Sequence, residues 1–241
     1  MLLHNPEFNN GLGMDVHIRT KIEDFWSSVE SSAIQLGDET MEIQANPESD
    51  EWLWVNGKAI SVGAQTGKWY ETEIAGYVLR YKESSASVRE ASIYFKGHVE
   101  RIVFKTFKSF VRVDVDWESS PEHYKGSVGL LGSFDLNGLR VGRDGETPIM
   151  NNNEFGQEWQ VSDSDPALFH SYEGAVVNQK CVMPPAYSAD KAAKVKRRLR
   201  ASNMTENDAA KACDHLHDPE EIKACVFDVI ATQDLSMASA W

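Results

Sequence analysis

Cysteine is scarce in this chain. Only Cys181, Cys213 and Cys225 occur among 241 residues. That is too few for a disulfide-stapled scaffold, and the odd number leaves one thiol unpaired or paired outside the chain. Positive charge is short as well. There are 24 Lys and Arg against 37 Asp and Glu, a formal net charge of −13 and a pI near 5.0. That balance argues against nucleic acid as a partner and suits cation binding or solubility. No run reaches the roughly 18 apolar residues of a membrane span. The start of the chain has no charged, then apolar, then small-residue export signal. Read at face value, the chain is not exported. No glycine loop of phosphate-binding type, and no Ser-His-Asp or Cys-His set, is legible.

What is present is alternation. Val16, Ile18, Thr20 and Ile22 alternate with His17, Arg19 and Lys21, the period of a half-buried strand. A second run covers Trp26 to Leu36, and Gly37-Asp38-Glu39 reads as a hairpin turn into Met41 and Ile43. Trp52-Leu53-Trp54-Val55, then Asn56-Gly57, then residues 58–62 form the clearest hairpin signal. Further strands are predicted at 77–82, 86–95, 98–106 and 110–117, with Lys96-Gly97 as one of the turns. No helix-length pattern separates these strands. The expectation is a mainly β fold, an antiparallel β-sandwich or open barrel rather than βαβ units. After about residue 180 the character changes: Pro184-Pro185 breaks the chain and Lys191 to Arg200 is basic. Thr205 and Asp218 read as helix N-caps, the latter followed by Pro219 at the first helical position. Three or four short helices are predicted there.

Two segments carry a signature. Gly129-Leu130-Leu131-Gly132-Ser133-Phe134-Asp135 is followed by Phe155-Gly156-Gln157-Glu158-Trp159-Gln160-Val161. Singly, each reads as turn chemistry; Trp159 and Val161 alternate with polar neighbours, as on a strand. Together they resemble the von Willebrand factor type D (VWD) domain, G-L-x-G-x-[FY]-[DN] and then F-G-x-x-W-x-V. The tail from Ala212-Cys213 to Ala224-Cys225-Val226-Phe227-Asp228 through Asp234 is similar to the small cysteine-containing helical segment that often follows such domains. The resemblance implies a VWD-like β domain over residues 1–165, a linker over 166–190 and a helical extension over 191–241.

The same resemblance implies a non-catalytic extracellular module for adhesion or matrix assembly, with other extracellular proteins or glycans as partners. Family members begin with a G-D-P-H-[FY] segment, a Cys and a strand. This chain opens Met1-Leu2-Leu3-His4, so the expectation is a fragment whose full-length parent is extracellular or at the cell surface, with an edge strand incomplete. Family members also carry C-G-L-C-G where Val128-Gly129-Leu130-Leu131-Gly132 stands here. With both cysteines absent, disulfide multimerisation through this segment is not carried over.

Several residues could carry chemistry. Asp135, Asn137, Asp144 and Glu146 put hard oxygen donors in one loop, as calcium prefers, although Arg140 and Arg143 add positive charge to it. The resemblance points to calcium at Asp135 and Asn137, with Ser133 replacing the family's usual Asn. A plain polar turn explains the same residues. Asp114-Val115-Asp116-Trp117-Glu118 resembles the D-x-D-W-E end of a family 18 chitinase motif, which would make a carbohydrate-active enzyme of the chain. That family's (β/α)₈ barrel of about 250 residues finds no counterpart in the strand pattern. The bland alternative is a solvated strand face.

In the tail, Cys213, His215, His217 and Cys225 could ligate zinc or leave free thiols. The resemblance implies a Cys213–Cys225 disulfide, with Cys181 left to pair with a cysteine this chain lacks. Asn203-Met204-Thr205 is a glycosylation sequon, used only on the secretory path. The basic run from Lys191 to Arg200 reads as a solvated helix face or a patch for an acidic surface. An intracellular protein-binding module is the remaining alternative.

Overall fold

The computed structural model describes residues 1–23, 26–61, 65–96, 100–116, 121–170 and 204–241. The predicted turn at Gly97, Glu118, Cys181, the basic run and Asn203 lie outside them. The chain divides into two compact units, residues 1–21 with 29–182, and residues 22–28 with 183–241.

The first unit is a β-sandwich. Its first sheet runs in chain order through β1 (Leu3–Asn5), β2 (Met14–Glu23), β3 (Trp26–Leu36), β4 (Glu39–Gln44), β5 (Leu53–Val55) and β6 (Lys58–Ala59). The second is likewise a meander, β7 (Tyr70–Ile74), β8 (Tyr77–Ser85), β9 (Val88–Lys96), β10 (Glu100–Phe107) and β11 (Phe110–Asp116). The described strand pairings are all antiparallel. Local chemistry sets the hairpins. Asn56 and Gly57 take φ of 51° and 72°, as a type I′ turn requires, and Asn56 Oδ1 accepts the Thr40 N–H at 2.8 Å.

Inward residues of both sheets make one core. Val16, Ile34, Met41, Ile43, Trp52 and Leu53 meet Ile74, Leu79, Ile93, Ile102 and Phe104. Phe8, which opens the single turn α1 (Phe8–Gly11), closes one part of it, in ring contact with Tyr77 and Phe95 at 5.8 and 5.1 Å. Arg89, a buried cation, donates to the carbonyls of Asn46 and Ser49 at 2.8 and 2.7 Å. Its guanidinium thereby ties down the loop between β4 and β5, where the Asn46 carbonyl also accepts the Ser49 N–H at 3.2 Å.

The second unit contains α3 (Glu206–Ala212) and α4 (Pro219–Thr232), then a 3-10 turn at Leu235–Ala240. Both predicted caps form: Thr205 and Asp208 make a reciprocal capping box, and Asp218 accepts from the N–H groups of Glu220 and Glu221. Ala209, Cys213, Cys225, Val229, Met237 and Ala238 are buried. The fold class expected from alternation, a sandwich with a small helical extension, is what the chain forms.

Candidate functional site

The two halves of the signature form one structure. Val128 pairs with the outer edge of β1: its N–H donates to the His4 carbonyl at 2.9 Å, and the His4 N–H returns to the Val128 carbonyl at 2.7 Å. The chain then turns tightly across β1. Gly129 has φ of +150°, and a Cβ there would lie 2.3 Å from the Leu2 carbonyl oxygen. Gly132 has φ of +87°, and a Cβ there would lie 2.3 Å from the Gly138 oxygen. Real Cβ atoms do not approach oxygen so closely, so both positions need glycine for room as well as for backbone angle. Residues 128–131 thus cover the outer edge of β1.

The second half departs from expectation. Trp159 was predicted on a strand with Val161; it ends the helix α2 (Asn152–Glu158) instead. Asn151 caps that helix, its side chain accepting from Asn153 and Glu154 N–H groups. Phe155 and Trp159 are four apart and so share one helix face. They bury against Met1, Val128 and Val141, and the Trp159 indole donates to the Val141 carbonyl at 2.9 Å. The helix therefore packs beneath the glycine turn.

Arg143 locks the exit of this lobe. It donates to the carbonyls of Glu158 and Gln160 at 2.8 Å each and to both oxygens of Asp165 at 2.7 and 3.1 Å. Burial pushes the Asp165 carboxyl upward, but the donors of Arg143 and Ser162 outweigh it and hold the pKa at about 2. Beyond Asp165 the chain crosses the outer face of the first sheet. Phe169 lies under the Arg19 guanidinium at 4.5 Å. The His170 ring stacks on Trp54 at 4.3 Å, and its Nδ1 lies 2.6 Å from Oε2 of the buried Glu42. His17, on that same face of β2, is fully buried. Burial, then the positive charge of the amino terminus, lowers its pKa to about 4.

The structure separates the proposed loop ligands. Asp135 and Asn137 line one cavity together. Asp135 also accepts the Gly126 N–H at 2.9 Å. Asp144 is not among the residues lining that cavity, and its carboxylate is engaged in its own turn, accepting from the Glu146 N–H and from the Thr147 N–H and hydroxyl. The Thr147 hydroxyl, then these backbone donors, lower the Asp144 pKa. Among the described residues no group of three His, Cys, Asp or Glu side chains is close enough to hold a metal.

On β11 the carboxylates of the chitinase-like segment are matched by arginines, Asp114 with Arg112 at 2.7 Å and Asp116 with Arg101 at 3.7 Å. In the tail Cys213 and Cys225 are joined in a disulfide. Their sulfurs are thereby taken from any zinc set with His215 and His217. Of the tryptophans, Trp52 and Trp159 are core, while Trp69 is 40% exposed beneath the Lys82 ammonium, 4.3 Å from its ring centre.

What the sequence did not disclose is a cavity of about 500 Å³ between the signature loop and β11. Its walls include Leu3, Val115, Tyr124, Val128, Leu131 and Phe134, and Asp135 is the one charged side chain among the described residues lining it. Around it the same loop leaves Leu131, Leu136 and Leu139 exposed at 47, 45 and 40%. No protein-family model matches the chain, and no curated protein matches it.

Proposed function

We propose that the chain is a non-catalytic protein-binding module of VWD type, used in extracellular adhesion or assembly. The observation that carries this reading is the joint construction of the signature. Gly129 and Gly132 stand where any side chain would meet a backbone oxygen, and Phe155 and Trp159 pack beneath them. The residues that carry the resemblance are thus those the lobe requires, and the lobe presents leucines to solvent. A disulfide in the helical unit accords with an oxidising compartment.

Calcium enters this reading as a weak ligand of Asp135 and Asn137. Two side-chain donors fall well short of the roughly six to eight oxygens the ion takes, so solvent and loop carbonyls would complete its shell. The enzyme alternative is not carried further: Asp114 and Asp116 pair with arginines, and Glu118, the residue that motif would use as general acid, lies outside the described residues.

The test is binding of the purified chain to a panel of purified secreted and cell-surface proteins, with glycan hydrolysis measured in parallel. Saturable protein binding without hydrolysis is expected. Hydrolysis, or no binding across the panel, would overturn the reading.

A further inference from the structure

We infer that the cavity between the signature loop and β11 is the binding site of the module, and that it takes an extended polypeptide segment presenting an apolar side chain beside a lysine or arginine. The inference rests on the protein-binding reading above and adds a location and a partner chemistry.

Three observations converge on one place. The first is the cavity itself, about 500 Å³, within the range of pockets that enclose a small ligand or a large side chain. Its described walls are largely apolar. The second is exposure. Single exposed leucines are ordinary, but Leu131, Leu136 and Leu139 fall within nine residues of one turn, and Leu131 also lines the cavity. Clustered exposed apolar side chains beside a concave site mark an interaction surface.

The third is charge. Asp135 is the one charged side chain among the described residues lining the cavity; farther along the loop Arg140 and Arg143 offset Asp144 and Glu146, and the whole chain carries −13. A cationic partner would be drawn to this surface and an acidic one repelled. The apolar wall takes the hydrophobic side chain and Asp135 takes the cation beside it. Asp135 is already oriented for this, because the Gly126 N–H holds one of its oxygens at 2.9 Å. Since Asn can keep that acceptor while losing the charge, charge and loop geometry can be tested separately.

The experiment uses the whole chain and an array of capped peptides of about twelve residues. In these a Leu or Phe is flanked by Lys or Arg. Matched peptides carry Glu in place of the basic residues or Ser in place of the apolar one. Binding is measured in chelator, so that calcium does not occupy Asp135. We expect micromolar binding of the basic-apolar peptides, weakened about tenfold or more for either matched set. It should also weaken by about tenfold in Asp135→Asn and in Leu131→Asp, and fall as salt is raised from about 50 to about 500 mM.

Leu131 is half exposed, so its replacement leaves the core untouched; unchanged circular dichroism and melting temperature confirm that each variant is folded. Equal binding by wild type and Leu131→Asp, indifference to peptide charge, or no peptide binding would overturn the inference. The same variants are run against any partner found in the protein panel. A partner that binds all of them equally overturns the cavity assignment and leaves the module reading standing. Absence of any partner overturns the reading itself.

Discussion

Replacing Gly132 with alanine should be among the most damaging single-methyl changes in the β unit. The new Cβ would sit 2.3 Å from the Gly138 oxygen, 2.6 Å from its carbon and 2.9 Å from its Cα. Ordinary contact begins about 1 Å farther out, and all three obstacles are backbone. Relief therefore requires moving the 133–139 turn, whose ends are tied by Ser133 N–H to the Leu139 carbonyl and Gly138 N–H to the Ser133 carbonyl, each at 2.8 Å. An alanine at φ of +87° adds about 1–2 kcal/mol of backbone strain. Overpacking costs about 1–3 kcal/mol, and loss of one turn hydrogen bond about 1 kcal/mol. These terms overlap, so we expect a destabilisation of about 3–5 kcal/mol in urea unfolding followed by tryptophan fluorescence.

Gly156 supplies the internal control. It belongs to the same signature but has nothing within 4 Å of a built Cβ and lies in α2. Gly156→Ala should be neutral or stabilising by up to about 1 kcal/mol. A Gly132→Ala cost below about 1 kcal/mol, or a Gly156→Ala cost matching it, would refute the argument that the first glycine is required for space and the second is not.

Three other outcomes follow from the same geometry. The Asp165 carboxyl is held at about 2 against an ordinary 3.8. Its contribution is therefore complete above the unfolded pKa and is lost as pH falls from about 4 to 2. Because Arg143 remains one-third exposed, screening limits it to about 1 kcal/mol. Acid titration of stability should flatten by that amount in Asp165→Asn, and an unchanged profile would remove the clamp. Reducing Cys213–Cys225, 12 residues apart, should lower the stability of the helical unit by about 2–3 kcal/mol. Far-ultraviolet melting with and without reductant checks this, and no shift would contradict it. Millimolar calcium should raise the melting temperature by no more than a few degrees, an effect abolished by Asp135→Ala but kept by Asp144→Ala. An equal loss in Asp144→Ala would mean that the two carboxylates act together.

Much of the sandwich was legible because each strand carries its own signal. The period-two pattern of β2, the Asn56-Gly57 turn and the runs at 77–116 are local facts. So are the caps at Thr205 and Asp218. β7 and its turn were not legible, since Ala75 adopts φ of 50°, a conformation that tertiary context rather than alanine itself selects. Trp159 was misplaced because Trp159 and Val161 satisfy a strand period while Phe155 and Trp159 satisfy a helix period, and so short a window cannot choose. The helix is chosen by the Asn151 cap and by burial of both aromatic rings on one side.

The site was legible only in part. Its glycines stood out in the sequence, but the reason for them, close approach to Leu2 and Gly138, is a through-space contact. In the sequence Arg143 is a charge that opposes calcium; in the fold it gathers two carbonyls and a carboxylate from residues 158–165. Leu131, Leu136 and Leu139 carry no sequence mark of exposure, because hydropathy treats leucine as core wherever it falls.

The most direct test of the account is hydrogen-exchange mass spectrometry of the intact chain with and without a panel protein that binds it. New protection is expected in residues 129–139 and at the facing end of β11 near Val115, with the rest of the sandwich unchanged. Protection centred on the Trp69 surface or on the outer face of the first sheet, with 129–139 unaffected, would contradict it.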